Sequence, residues 1–165
     1  MTALFQLTLY GILLGFGATA LSDLWALFQQ RVLGMQVPNW ALVGRWFAYL
    51  PRGQWLHPSI AKTPPVPGEG LIGWTAHYLI GMGYGVLLLA FTGLAWLDQP
   101  TLLPALAVGI ATLLAPFLIL QPGMGAGLAA RKTPSPTKAR LRSLLNHCVF
   151  GLCLYLAARV WHLLG

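Results

Sequence analysis

Charge is what this sequence has least of. Only 8% of its 165 residues are charged, and the acids among them are three, Asp23, Glu69 and Asp98. A water-soluble domain carries about a quarter charged residues, so a fold dissolved in water would lack the polar surface to cover itself. Cysteine is nearly as scarce. Cys148 and Cys153 are spaced C-x4-C, which is neither a C-x-x-C redox pair nor a zinc pattern. Both fall inside an apolar run, where thiols act as small buried hydrophobes, and this sets aside a membrane thiol oxidoreductase. No nucleophile motif, Asp-rich metal pair or phosphate-binding Gly-lysine loop occurs, so no reaction is fixed by the sequence. Nor does a Lys or Arg precede the first apolar run, so Ala18-Thr19-Ala20 does not read as a signal-peptide cleavage site.

What the chain has instead is apolar length. Hydrophobic residues make up 57% of it, and four runs, about 4–28, 71–97, 101–121 and 141–164, reach the roughly 20 residues that a helix needs to cross a hydrocarbon core. Strands exposed to lipid would leave backbone groups unpaired, so the runs are helices. The expected fold is an all-α membrane protein, a four-helix transmembrane bundle forming one domain over 1–165.

The ten Lys and Arg residues set the orientation. Arg31, Arg45, Arg52 and Lys62 follow the first span, and Arg131, Lys132, Lys138, Arg140 and Arg142 follow the third. The positive-inside rule places connections 29–70 and 122–140 in the cytoplasm and both termini outside. Arg159 is the exception, and its long stem allows it to snorkel to the headgroups. The net charge of +7 therefore needs no nucleic acid; the expected partner is the bilayer, with anionic lipid beside the basic connections.

Two alignments suggest a duplicated helical hairpin. Lys62-Thr63-Pro64 recurs as Lys132-Thr133-Pro134, and the same offset of 70 aligns Leu71 with Leu141, His77 with His147 and Gly81 with Gly151. Gly15-Phe16-Gly17-Ala18 resembles Gly123-Met124-Gly125-Ala126 at a different offset, 108, which leaves about 38 extra residues in the first unit. Two spans per unit give a parallel repeat. Helical spacing puts His77, Gly81, Tyr84 and Gly85 on one face, and His147, Gly151 and Tyr155 on another. Glycines there, like Gly11 and Gly15 on the first span, let helices approach closely.

Within the insert 29–70, Asn39 is suited to cap a short helix from Trp40 to Leu50. Trp40, Trp46, Phe47 and Tyr49 with Arg45 suggest that this helix lies in the membrane interface. Pro64, Pro65 and Pro67 then hold the chain extended until Gly68 and Gly70 turn it into the next span.

Several strings resemble the bacterial inner-membrane family called Domain of Unknown Function 2938. They are Ser22-Asp23-Leu24-Trp25, Gly44-Arg45-Trp46, Gly68-Glu69-Gly70 with Gly73-Trp74, His77-Tyr78, and Gln121-Pro122-Gly123-Met124-Gly125, continued by Thr133-Pro134 and Ala139-Arg140-Leu141. The resemblance implies a small multi-spanning inner-membrane protein and supplies no activity.

Four kinds of function fit these residues. His77 and His147, with room left by Gly81 and Gly151, suit a haem iron or another metal ion held between helices. An enzyme acting on a phosphorylated lipid would bind phosphate through Arg45, Arg131 and Arg140, with His57 or His77 as acid or base and Asp23 or Glu69 orienting it. A small transporter would use breaks at Pro104, Pro116 and Pro122, lacks an acid at mid-membrane to couple protons, and would need a homo-oligomer to form a pathway. A structural or accessory component would need only packing and a pair such as Asp23 with Arg131, which the G-x-G-A alignment makes equivalent. Any site is expected at the cytoplasmic end, between His77 and His147 and bordered by Arg45, Glu69 and Arg131.

Overall fold

The computed structural model describes residues 2–164, of which only the backbone is considered at Leu164. No strand occurs among them. Five helices carry the chain: α1 (Ala3–Arg31), α2 (Trp40–Tyr49), α3 (Glu69–Thr92), α4 (Leu102–Gly123) and α5 (Pro136–Leu164). Four of them, all except α2, are long and apolar enough to cross a membrane. The protein is an all-helical membrane protein with four candidate spans, as the apolar runs predict.

The helix ends follow local chemistry. Thr2 caps α1 by accepting from the Phe5 N–H. Asn39 caps α2 by accepting from the Ala41 N–H at 3.1 Å, the role its side-chain oxygen is suited to. The second apolar run is not helical to residue 97. It stops at Thr92 because Gly93 takes a left-handed φ of 77°, open to glycine without a Cβ penalty, and a separate 3-10 turn follows at Leu94–Leu97. The fourth begins at Pro136, five residues before its apolar run, since proline supplies a helical φ where an N–H is not needed.

Helix α4 is irregular where Pro116 removes a donor. The regular turns end at Ala111, and Pro116–Leu120 form wide π-type turns. The Gln121 N–H closes these on the Pro116 carbonyl. Pro104, in the first turns, leaves the helix intact.

Backbone proximity divides the chain into two compact units. The first comprises Met1–Val37, Tyr78–Thr112 and Leu145–Gly165; the second comprises Pro38–His77 and Leu113–Leu144. In the first unit, Leu14, Ala18, Leu88, Leu89, Ala105, Leu154 and Ala158 form the core. Helices α1 and α3 cross there at glycines. A Cβ at Gly15 would strike the Gly81 carbonyl oxygen, and one at Gly85 the Gly11 carbonyl oxygen. Helices α4 and α5 meet in the same way, with Gly109 against Gly151 and the His147 carbonyl. The aligned glycines Gly81 and Gly151 thus both lie at helix crossings. Gly15 and Gly123, aligned at the other offset, have different surroundings: Gly123 packs under the Trp46 indole.

In the second unit α2 lies against the start of α3. Gly44 approaches the Glu69 carbonyl, and Gly73 approaches the Trp40 carbonyl. The chain after α2 docks on the end of α4 through its main chain: the His57 N–H donates to the Gly123 carbonyl at 2.9 Å and the Ile60 N–H to the Met124 carbonyl at 3.0 Å. Gly125, at φ 94°, lies against the Pro58 carbonyl, with no room for a side chain.

Candidate functional site

The second unit is organised around Arg45. Its Nε donates to Glu69 Oε2 and its NH2 to Glu69 Oε1, both at 2.8 Å. NH1 donates to the Thr63 carbonyl at 2.7 Å and the Ile60 carbonyl at 3.2 Å. A guanidinium has five donors in a rigid fork, and four are spent here on the protein itself. The Glu69 hydrogen bonds, opposed in part by burial, push the Arg45 pKa above its ordinary value, so its charge is permanent. Glu69 is equally committed, because Oε2 also accepts from the Val66 N–H at 2.9 Å. The pair ties α2, the proline-rich segment and the first turn of α3 together. Both groups are engaged within the protein, four of the five Arg45 donors and both Glu69 oxygens.

His57 is 7% exposed and stands edge-on to Tyr49, ring centroids 5.3 Å apart. Its Nδ1 is 3.1 Å from Thr63 Oγ1, whose own hydroxyl proton goes to the Ser59 carbonyl. The hydroxyl can then only accept from the ring, so Nδ1 donates to it. Nε2 is buried and has no hydrogen-bond partner among the described residues.

His77 stacks on Trp40 at 3.9 Å between ring centroids, 23° from parallel, and meets Trp74 edge-on at 5.7 Å. His147 belongs to the first unit, where its Nδ1 is 3.1 Å from both the Gly109 carbonyl and Thr112 Oγ1. A carbonyl accepts only, so Nδ1 donates there. His77 and His147 therefore fall in different units, each with its own partners. Among the described residues, no three His, Cys, Asp or Glu side chains are grouped as metal ligands.

Asp23 accepts from the Tyr78 hydroxyl at 2.9 Å, a link between α1 and α3 inside the first unit. Arg131 and Arg140 lie in the second unit and are exposed. Arg140 donates from Nε to the Ala129 carbonyl at 2.8 Å, which leaves the outer nitrogens of its fork open. Lys132, Lys138 and Arg142 are exposed as well.

Sequence reasoning missed Thr63 and Thr112, the hydroxyls that engage His57 and His147, and Trp40 as the platform under His77. Thr112 and Trp40 are remote in sequence from their histidines, and Thr63, six residues from His57, belongs to no pattern that marks it. The one available signal was the aromatic run on α2, read as membrane-facing rather than as a ring stack.

The strings that carry the resemblance are divided between the two units. Gly44-Arg45-Trp46, Gly68-Glu69-Gly70 and Gln121–Gly125 all lie in the second unit, and Asp23 and Tyr78 pair in the first. No curated protein and no solved structure is detectably similar to the chain. The model of the family described as Protein of unknown function (DUF2938) matches residues 12–161, and the chain belongs to that family.

Proposed function

We propose that the protein is a multi-pass protein of the bacterial inner membrane whose second basic connection binds anionic lipid headgroups at the cytoplasmic face. Between Arg131 and Arg142 stand five cations and no acid. All five are exposed, whereas Arg45, the buried cation of the first connection, is neutralised by Glu69. That contrast carries the reading: the buried cation serves the fold, and the five clustered on the second connection are offered to the surroundings. Each Lys or Arg close to an anionic surface contributes about 1 kcal/mol, so the cluster is strong enough to select its neighbouring lipids. The phosphate role given by sequence to Arg45, Arg131 and Arg140 thus passes to Arg131 and Arg140 with the three lysines and arginines beside them.

The test is lipid selection by the full-length protein in nanodiscs of mixed phosphatidylglycerol and phosphatidylcholine. Phosphatidylglycerol should be enriched among co-purifying lipids several-fold, and the enrichment should vanish when Arg131, Lys132, Lys138, Arg140 and Arg142 are all changed to Gln. Equal retention of the two lipids by the wild-type protein would refute the reading.

A further inference from the structure

The aromatic residues of the first connection are divided by burial. No residue of α2 is exposed. Trp46 donates from Nε1 to the Trp55 carbonyl at 3.0 Å, and Tyr49 donates from its hydroxyl to the Pro64 carbonyl at 3.1 Å, so both serve the fold. Residues 51–56 are exposed throughout, and this run ends on two large apolar side chains, Trp55 and Leu56, 60% and 75% exposed. Their backbone is held on both sides. Gly53, at φ 75°, closes the turn that follows α2, the Trp55 carbonyl accepts from the Trp46 indole, and the His57 N–H donates to the Gly123 carbonyl at 2.9 Å. The pair is thus presented outward from a fixed frame.

Position narrows what the pair meets. Gly123 is the last residue of α4, whose 22 residues are about the number that crosses a hydrocarbon core. The backbone bond from His57 therefore holds the pair close to where hydrocarbon gives way to headgroups. Charge points the same way. Arg52, which lies over the Tyr49 ring at 4.9 Å, and Lys62 flank the pair, and both are exposed. No acid stands between Asp23 and Glu69 in the sequence, and Glu69 is taken by Arg45. Tryptophan favours the boundary layer because its ring is apolar and its N–H needs a polar partner. Apolar side chains beside Lys or Arg are also the composition of segments that lie in that layer. We propose that Trp55 and Leu56 anchor the first connection in the headgroup–acyl boundary of the bilayer that the helices span. The membrane contact is made by this loop tip rather than by the aromatic face of α2. It depends on the spans and not on the headgroup binding assigned to the second connection.

The experiment uses the full-length protein in nanodiscs of phosphatidylcholine alone, a lipid with no net charge, so that headgroup selection plays no part. Tryptophan emission of the wild type and of Trp55→Phe is compared in plain lipid and in lipid brominated near the headgroup end of its acyl chains. Bromine quenches on contact, so the emission lost with Trp55→Phe should be several-fold smaller in the brominated bilayer. An equal loss in both bilayers overturns the proposal. A nitroxide on Leu56→Cys, with Cys148 and Cys153 replaced by Ala, gives a second reading. Its ratio of collisions with oxygen to collisions with a water-soluble nickel chelate should exceed that at Gln54→Cys several-fold. A ratio equal to that at Gln54 places the pair in water, and few collisions with either reagent place it against another protein molecule. Either result overturns the proposal.

Discussion

Arg45 and Glu69 form a two-point ion pair, each oxygen of the carboxylate facing a different nitrogen of the guanidinium at 2.8 Å. Planar matching of this kind depends on the fork of arginine and is lost with a point charge. Arg45→Lys should therefore behave much like Arg45→Ala, lowering the melting temperature in detergent by several degrees. Glu69→Gln should do the same, because an amide offers one acceptor where two are used. Thermal unfolding of the three variants checks this, and retention of wild-type stability by Arg45→Lys would contradict it.

The glycines should divide sharply by position. Gly85→Ala drives a methyl into the Gly11 carbonyl and the Gly15 backbone, and Gly109→Ala drives one into the α5 backbone at Gly151. Overpacking of this kind costs about 1–3 kcal/mol. Gly83 faces open space, so Gly83→Ala should be neutral or stabilising by up to about 1 kcal/mol, the difference in helix propensity. Parallel denaturation of the three variants gives the contrast directly.

The histidines can be separated by their surroundings. With Nδ1–H of His57 held by Thr63, His57→Asn keeps a nearby N–H donor and should be tolerated. His57→Ala and Thr63→Val each remove one side of the bond, and Thr63→Val should cost about 1–3 kcal/mol by leaving a buried donor unpaired. Equal losses for His57→Asn and His57→Ala would show that the hydrogen bond is not what holds the ring in place.

His147 bonds to the Gly109 carbonyl and Thr112, and His77 is stacked against Trp40. Both are expected to serve packing. The purified protein should have no visible-region absorbance and no stoichiometric metal, and His147→Ala should lower stability. A haem band lost in that variant would instead make the histidines ligands.

The spans were legible because hydrophobic length has few alternatives in a chain so poor in charge. The cap at Asn39 and the close-packed glycines were legible because each rests on local spacing. Misread ends had local causes: Leu94-Ala95-Trp96-Leu97 extends the apolar run past the turn at Gly93, and the basic residues from Lys138 to Arg142 mask helix that already begins at Pro136. The site was harder. Arg45 and Glu69 were both placed at its border, yet their mutual consumption depends on α2 crossing α3 at Gly44 and Gly73. Docking of residues 57–60 on Gly123 and Met124 is made by backbone groups, which every residue has, so no side-chain pattern announces it.

Membrane topology is the most direct test of the central claim. In a background with Cys148 and Cys153 replaced by Ala, single cysteines at the exposed positions Gln54, Gln99 and Thr137 would be treated with a membrane-impermeant thiol reagent in intact spheroplasts and in inverted vesicles. Four crossings with both basic connections inside require Gln54→Cys and Thr137→Cys to react only in inverted vesicles and Gln99→Cys only in spheroplasts. Labelling of Thr137→Cys from the spheroplast exterior would contradict the topology and the headgroup role of the basic connection together.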